Sequence, residues 1–294
     1  IMIVASIGIA LGAIFSSGMM EVARKGIFNP GEFYFNEIMF IFMAVMITDI
    51  LLLDFFNTIG LPTSTTVSIV FELLGASVAM ALIKIYKDGG RFEQVVEYIN
   101  TSKATEIIIG ILLSVAIAFT VGALVQWATR VLLSFNFEKK PDWMSALFGG
   151  LATSSITYFI LMKGIKGTAF ASRALEITNG QTLSAYIEYH VGFILLINLS
   201  VWFLVSFLLI TLFKVNIYRF IIVIGTFAWA LAFAGNDLVN FIGVPIAAMQ
   251  SYDAWVASGV AASDFSMNIL SSKVPTPTLL LFISGGVMVA TLWL

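Results

Sequence analysis

Between Val191 and Phe213 the chain holds no charged residue and presents no polar face that could meet water. About 20 apolar residues carry a helix across a bilayer, and this stretch is one of several of that kind. Ile1 to Met20, Ile38 to Phe56, Val67 to Ile85, Ile107 to Leu133, Trp143 to Met162 and Ile217 to Ala234 repeat the pattern, and Thr276 to Leu294 begins a last one. Lipid offers no hydrogen bonds, so spans of this kind must satisfy their own backbone, and the helix does so. The expected fold is therefore all-α, a polytopic transmembrane helical bundle. Composition agrees: 60% of the 294 residues are hydrophobic and 11% charged, against roughly 25% charged in soluble globular domains.

The same numbers exclude several functions. With a net charge of −2 and no basic tract, the chain has nothing to neutralise a phosphodiester backbone, so nucleic acid is not a partner. The absence of cysteine removes disulfides, thiolate metal sites and cysteine nucleophiles together. Basic residues occur in nearly every connection, from Arg24 and Lys25 to Lys214 and Arg219, so charge counting assigns no orientation. Asp88 to Glu106 reads as a polar loop with one amphipathic turn, and Gly164 to His190 as a re-entrant or interfacial segment.

Charged side chains inside membrane spans cost about 2.5 to 3.5 kcal/mol on insertion scales and face the protein interior or water. Asp49, Asp54, Glu72 and Asp237 occupy such places, and no Lys or Arg lies deep in the same spans. Protons, water or bound cations must compensate them.

Two blocks surround these acids. In the first, Asp54, Asn57 and Thr58 share a helix face ahead of Gly60 and Pro62, and Thr63, Ser64, Thr65 and Thr66 follow. Proline suits a first helical turn, so a helix is expected to open at Pro62, with the hydroxyls in its first turn beside the positive end of the helix dipole. Such a terminus binds anions. Thr65, Ser68 and Glu72 continue along one face. A single serine or threonine there would be read as a cap or a bundle contact; four hydroxyls in a row after proline, inside apolar sequence, point to a site.

The second block runs from Ala234 to Pro245. Gly235, Gly243 and Pro245 predict an unwound stretch, with Asn236, Asp237 and Asn240 offering oxygens to a hard cation. Broken helices of this kind hold sodium in secondary transporters. A plain turn would use the same residue types, but apolar sequence flanks the motif on both sides. His190 is the single histidine and reads as an interfacial residue rather than a ligand. The tryptophans read as interface anchors or bundle filling.

Taken together, Pro62-Thr63-Ser64-Thr65-Thr66 and Asn236-Asp237-Leu238-Val239-Asn240 with Gly243 resemble paired motifs of the inorganic phosphate transporter family, sodium- or proton-coupled symporters built from two inverted repeats. The first matches the second motif of the first repeat, and the second matches the first motif of the second repeat. Ala234-Gly235 stands where the family has Gly-Ala, Val67 follows the threonine pair in place of the usual His or Ala, and Pro275-Thr276-Pro277-Thr278 is a distant echo of the missing motif. The resemblance implies the central part of a longer transporter, with residues 1–133 as the C-terminal part of the first repeat and 134–294 as a linker and the N-terminal part of the second.

It further implies phosphate binding by Ser64, Thr65, Thr66, Asn236 and Asp237, and cation binding by Asp237, Asn240, Asp54, Asn57 and Ser64, with sodium held at Asp237 and Asn240. The implied partners are inorganic phosphate, a sodium ion or proton as coupling ion, and the lipid bilayer of the inner (plasma) membrane; a homodimer is compatible with this. No other cofactor and no enzymatic activity are expected. Two readings compete: a transporter of another tetrahedral oxyanion such as sulfate, and an intramembrane aspartyl hydrolase. The hydrolase would need two acids sharing a proton, whereas Asp49 and Asp54 point to different helix faces.

Overall fold

The computed structural model describes residues 1–15, 27–133, 141–162, 182–271 and 278–294, and of Phe15, Leu183, Ser184, Asn236, Asp237, Val239, Asn240 and Thr278 only the backbone. Its helices are α1 (Met2–Phe15), α2 (Phe35–Thr58), α3 (Thr65–Lys87), the short α4 (Val95–Tyr98), α5 (Thr101–Leu133), α6 (Asp142–Ile160), α7 (Leu183–Tyr189), α8 (Val191–Thr211), α9 (Ile217–Ser258) and α10 (Thr278–Trp293). Four of them (α2, α3, α5 and α8) and the Ile217–Gly235 part of α9 are long and apolar enough to cross a membrane. The all-α, multi-pass architecture expected from the apolar runs is therefore present. The polar stretch after Asp88 holds a 3-10 turn at Phe92–Gln94 as well as α4. Most of the segment from Gly164 to His190, and residues 275–277, lie outside the described residues.

The chain divides into two compact units. One comprises Ile1–Gly18, Ala116–Gly235 and Leu281–Leu294. Lipid is as apolar as leucine, so helices there associate through close packing, and small residues permit it. Gly149 and Gly150 of α6 bring its backbone against Ser206 and Phe203 of α8. Asn198 Nδ2 then donates to the Ser154 carbonyl at 2.9 Å. Gly8 and Gly12 of α1 lie against Phe227 and Leu231 of α9 so closely that a Cβ on either would strike a backbone oxygen. Trp293 Nε1 donates to Ser6 Oγ at 2.9 Å.

The other unit comprises Met19–Val115 and Asn236–Leu280. Its core joins Ile38, Ile41, Phe42 and Val45 of α2, Ile69, Val70 and Leu73 of α3, and Val244 and Ala247 of α9. In the same core, Phe28 and Ile99 pair as an antiparallel bridge, Tyr34 and Ser266 form another, and Phe35 stacks on Trp255 with ring centroids 4.6 Å apart. Lys84, in the last turn of α3, ties the hairpin together. Its ammonium lies 3.1 Å from Glu37 Oε2, donates to the Glu32 carbonyl at 2.8 Å and sits 4.3 Å above the Tyr34 ring. Glu37 Oε2 also accepts the Tyr34 backbone N–H at 2.8 Å and so closes the start of α2. Near this knot, burial pushes the Tyr98 hydroxyl pKa up, with Lys84 drawing it partly back.

Two expectations about helix limits are corrected. The unwound stretch predicted from Ala234 to Pro245 is helical throughout, inside the 42 residues of α9. Among the described residues the glycines with positive φ are Gly60, Gly89 and Gly259, so Gly235 and Gly243 do not use the freedom that made a break there attractive. A freed backbone in an apolar setting has no water to bond, which favours keeping the helix. Pro245 still removes one bond, because it has no N–H for the Phe241 carbonyl four residues earlier. The second correction is that α3 does not open at Pro62 but at Thr65.

Candidate functional site

The α2–α3 turn explains that second difference. Gly60, at φ 70°, donates its N–H to the Asn57 carbonyl at 3.2 Å, and Leu61 donates to Phe56 at 3.0 Å. This is a Schellman ending, in which a left-handed glycine satisfies the last carbonyls and a proline commonly follows. Pro62 therefore belongs to the stop of α2 rather than the start of α3. Ser64 is the N-cap of α3, and its Oγ accepts the Val67 N–H at 3.4 Å. Thr65 and Thr66 occupy the first two helical positions and are half-buried, while Thr63 lies outside the helix. The hydroxyl cluster thus sits at a helix start, as the sequence indicates, but shifted by three residues.

Between α2 and α3 lies a groove of about 740 Å³ whose lining includes Thr48, Phe56, Pro62, Ser64, Ser68 and Glu72. Of the residues assigned to phosphate and cation, only Ser64 contributes to it; Thr65, Thr66, Asp54 and Asn57 do not. Asp54 and Asn57 are exposed near the end of α2. The side chains of Asn236, Asp237 and Asn240 lie outside what is described. Their helix is nonetheless tied to α3, since Val244 and Ala247 share the core with Ile69, Val70 and Leu73.

The predicted face of Thr65, Ser68 and Glu72 is joined in part: Ser68 Oγ donates to Glu72 Oε1 at 2.5 Å. Asp49 of α2, 9% exposed, also reaches the Ser68 hydroxyl. This link is absent from the sequence reading. The signal for it was the hairpin itself, because Asp49 and Glu72 lie at similar distances from the Gly60-Pro62 turn. His190 is a local residue: its Nδ1 is 3.1 Å from the Tyr186 carbonyl, and its ring lies 4.3 Å from that of Tyr186.

Fold and site define a multi-pass helical membrane protein whose hydroxyl-rich helix start lies in an apolar hairpin. The sequence profile of the phosphate transporter family matches residues 1–294, and the chain belongs to that family. The family is one of transporters, so the hydrolase reading falls. The comparison with curated protein sequences gives no match. Among solved structures, one described as "The sodium-dependent phosphate transporter" has the same fold, with a TM-score of 0.60 and 19% identity over 98% of this chain. The chain spans 64% of the length of that protein.

Proposed function

We propose that the complete protein carries inorganic phosphate across the membrane by symport with a cation, sodium or a proton. The observation that carries this reading is the Ser64-capped start of α3, with Thr65 and Thr66 in its first turn and no basic side chain deep in the same spans. An anion there depends on the helix dipole and hydroxyl donors, and a co-bound cation offsets its remaining charge. Phosphate is assigned to Ser64, Thr65, Thr66, Asn236 and Asp237; the cation is assigned to Asp237 and Asn240, with Asp54, Asn57 and Ser64 as further donors. The Phe241 carbonyl, left without a helical donor by Pro245, adds a backbone oxygen one residue after Asn240.

The name of the structural neighbour supports sodium as the coupling ion. The inverted-repeat division at residues 133 and 134, and a homodimer in the plasma membrane, belong to the same proposal. Uptake of labelled phosphate into proteoliposomes holding the full-length protein tests it, with imposed sodium or proton gradients and excess sulfate as competitor. Phosphate accumulation driven by either gradient and unaffected by sulfate is the expected result. Sulfate uptake in preference to phosphate, or equal uptake without a gradient, overturns it.

A further inference from the structure

The assignment above uses Asp54 and Asp237 and leaves two of the four intramembrane acids without a task. The hairpin brings those two together: Asp49 of α2 is buried, and Glu72 of α3 is its charged neighbour. Ser68 stands between them, donating to Glu72 Oε1 at 2.5 Å while also within reach of Asp49. A serine hydroxyl has one proton to donate, so it cannot satisfy two carboxylates at once. The other Glu72 oxygen, Oε2, is fully enclosed and has no hydrogen-bond partner.

Two carboxylates that share one serine hydroxyl at membrane depth need a positive charge to offset them. Lys84 does not supply it, since it lies twelve residues further along α3, about 18 Å at the helical rise, and is engaged by Glu37 and the Glu32 carbonyl. Asp54 of α2 is exposed and acidic, and the core residues of α9 packed nearby, Val244 and Ala247, are apolar. A metal ion is poorly served as well, because hard cations gather about six or more oxygens and this cluster offers the two carboxylates and one hydroxyl.

We propose that Asp49, Ser68 and Glu72 form a proton-binding site, in which one proton delivered by hydronium, which leaves as water, adds to the carboxylate pair and forms an O–H bond at Glu72 Oε2. Ser68 holds the opposite oxygen of Glu72 and so orients the acid. Ser68 and Glu72 also line the groove that contains Ser64. The proton site's role in coupling rests on the symport reading; the proton itself does not.

Infrared difference spectra of the purified full-length protein test this without any transported substrate. Stepping the pH at constant sodium should make a protonated-carboxyl band appear and vanish in the native protein. That band should be lost in Glu72→Gln and shifted in Asp49→Asn and Ser68→Ala, each variant first checked for native helix content. Should one variant fail to fold, the other two carry the same comparison. A band unchanged in the folded variants overturns the proposal, as does a band abolished by added sodium at fixed pH, which would make the site a sodium site. Because the readout needs no phosphate, a protein that shows the band and carries no phosphate refutes the symport reading alone.

Discussion

Ser64 Oγ accepts the backbone N–H of Val67 at 3.4 Å and thereby caps α3. The Ser64 hydroxyl thus serves the helix as an acceptor and keeps its own proton to donate, while Thr65 and Thr66 follow in the first turn.

Ser64→Ala should lower stability by about 0.5 to 2 kcal/mol, the usual cost of losing an N-cap. Thermal unfolding in a fixed detergent measures it. An unchanged midpoint would mean that the cap does not hold α3 in place.

Thr65→Val and Thr66→Val keep the branched shape and delete a hydroxyl. A hydrogen bond to a charged group is worth about 1.5 to 3 kcal/mol, so phosphate affinity should fall about ten- to more than a hundredfold per substitution, with little change in unfolding. Binding of labelled phosphate to the full-length variants reads the affinity. Lowered stability with unchanged binding would reduce these threonines to structural residues.

Asp237→Asn should abolish gradient-driven phosphate uptake while the protein still folds. The amide retains the size of the side chain and removes its charge, the strongest attraction for a cation. Sodium-dependent uptake at native level in the folded variant would rule Asp237 out as a cation ligand.

Lys84→Met should destabilise the hairpin by about 1.5 to 3 kcal/mol, because Glu37 loses its ammonium partner while both side chains are mostly buried, at 16% and 17% exposure. Much of that should return in the double variant with Glu37→Gln, which removes the uncompensated charge. Equal loss in the single and double variants would show that the pair is not coupled.

Gly12→Ala should cost about 1 to 3 kcal/mol, the usual range for overpacking, because its Cβ would meet the Leu231 backbone. Gly110→Ala, in open space on α5, should be neutral or stabilise by up to about 1 kcal/mol. Comparing the two by thermal unfolding distinguishes close helix approach from helix propensity.

The amino-acid sequence alone determined that this is a multi-pass helical membrane protein, because runs such as Val191 to Phe213 have one stable solution in lipid, and element limits came within a few residues for α2, α3 and α8. It also located the hydroxyl cluster and the acids Asp49, Asp54 and Glu72 within the apolar spans, since polar residues stand out against apolar surroundings whatever the fold. Tertiary structure decided what the same residue types do in context. Gly60 takes a left-handed conformation and ends α2, while Gly235 and Gly243 stay within α9; glycine permits either, and only the packing of neighbouring helices selects between them. The meeting of Asp49 with Ser68 and Glu72 likewise depends on the register of α2 against α3, which is set by the Gly60-Pro62 turn and the shared core, a long-range relation that helical periodicity within one span does not encode.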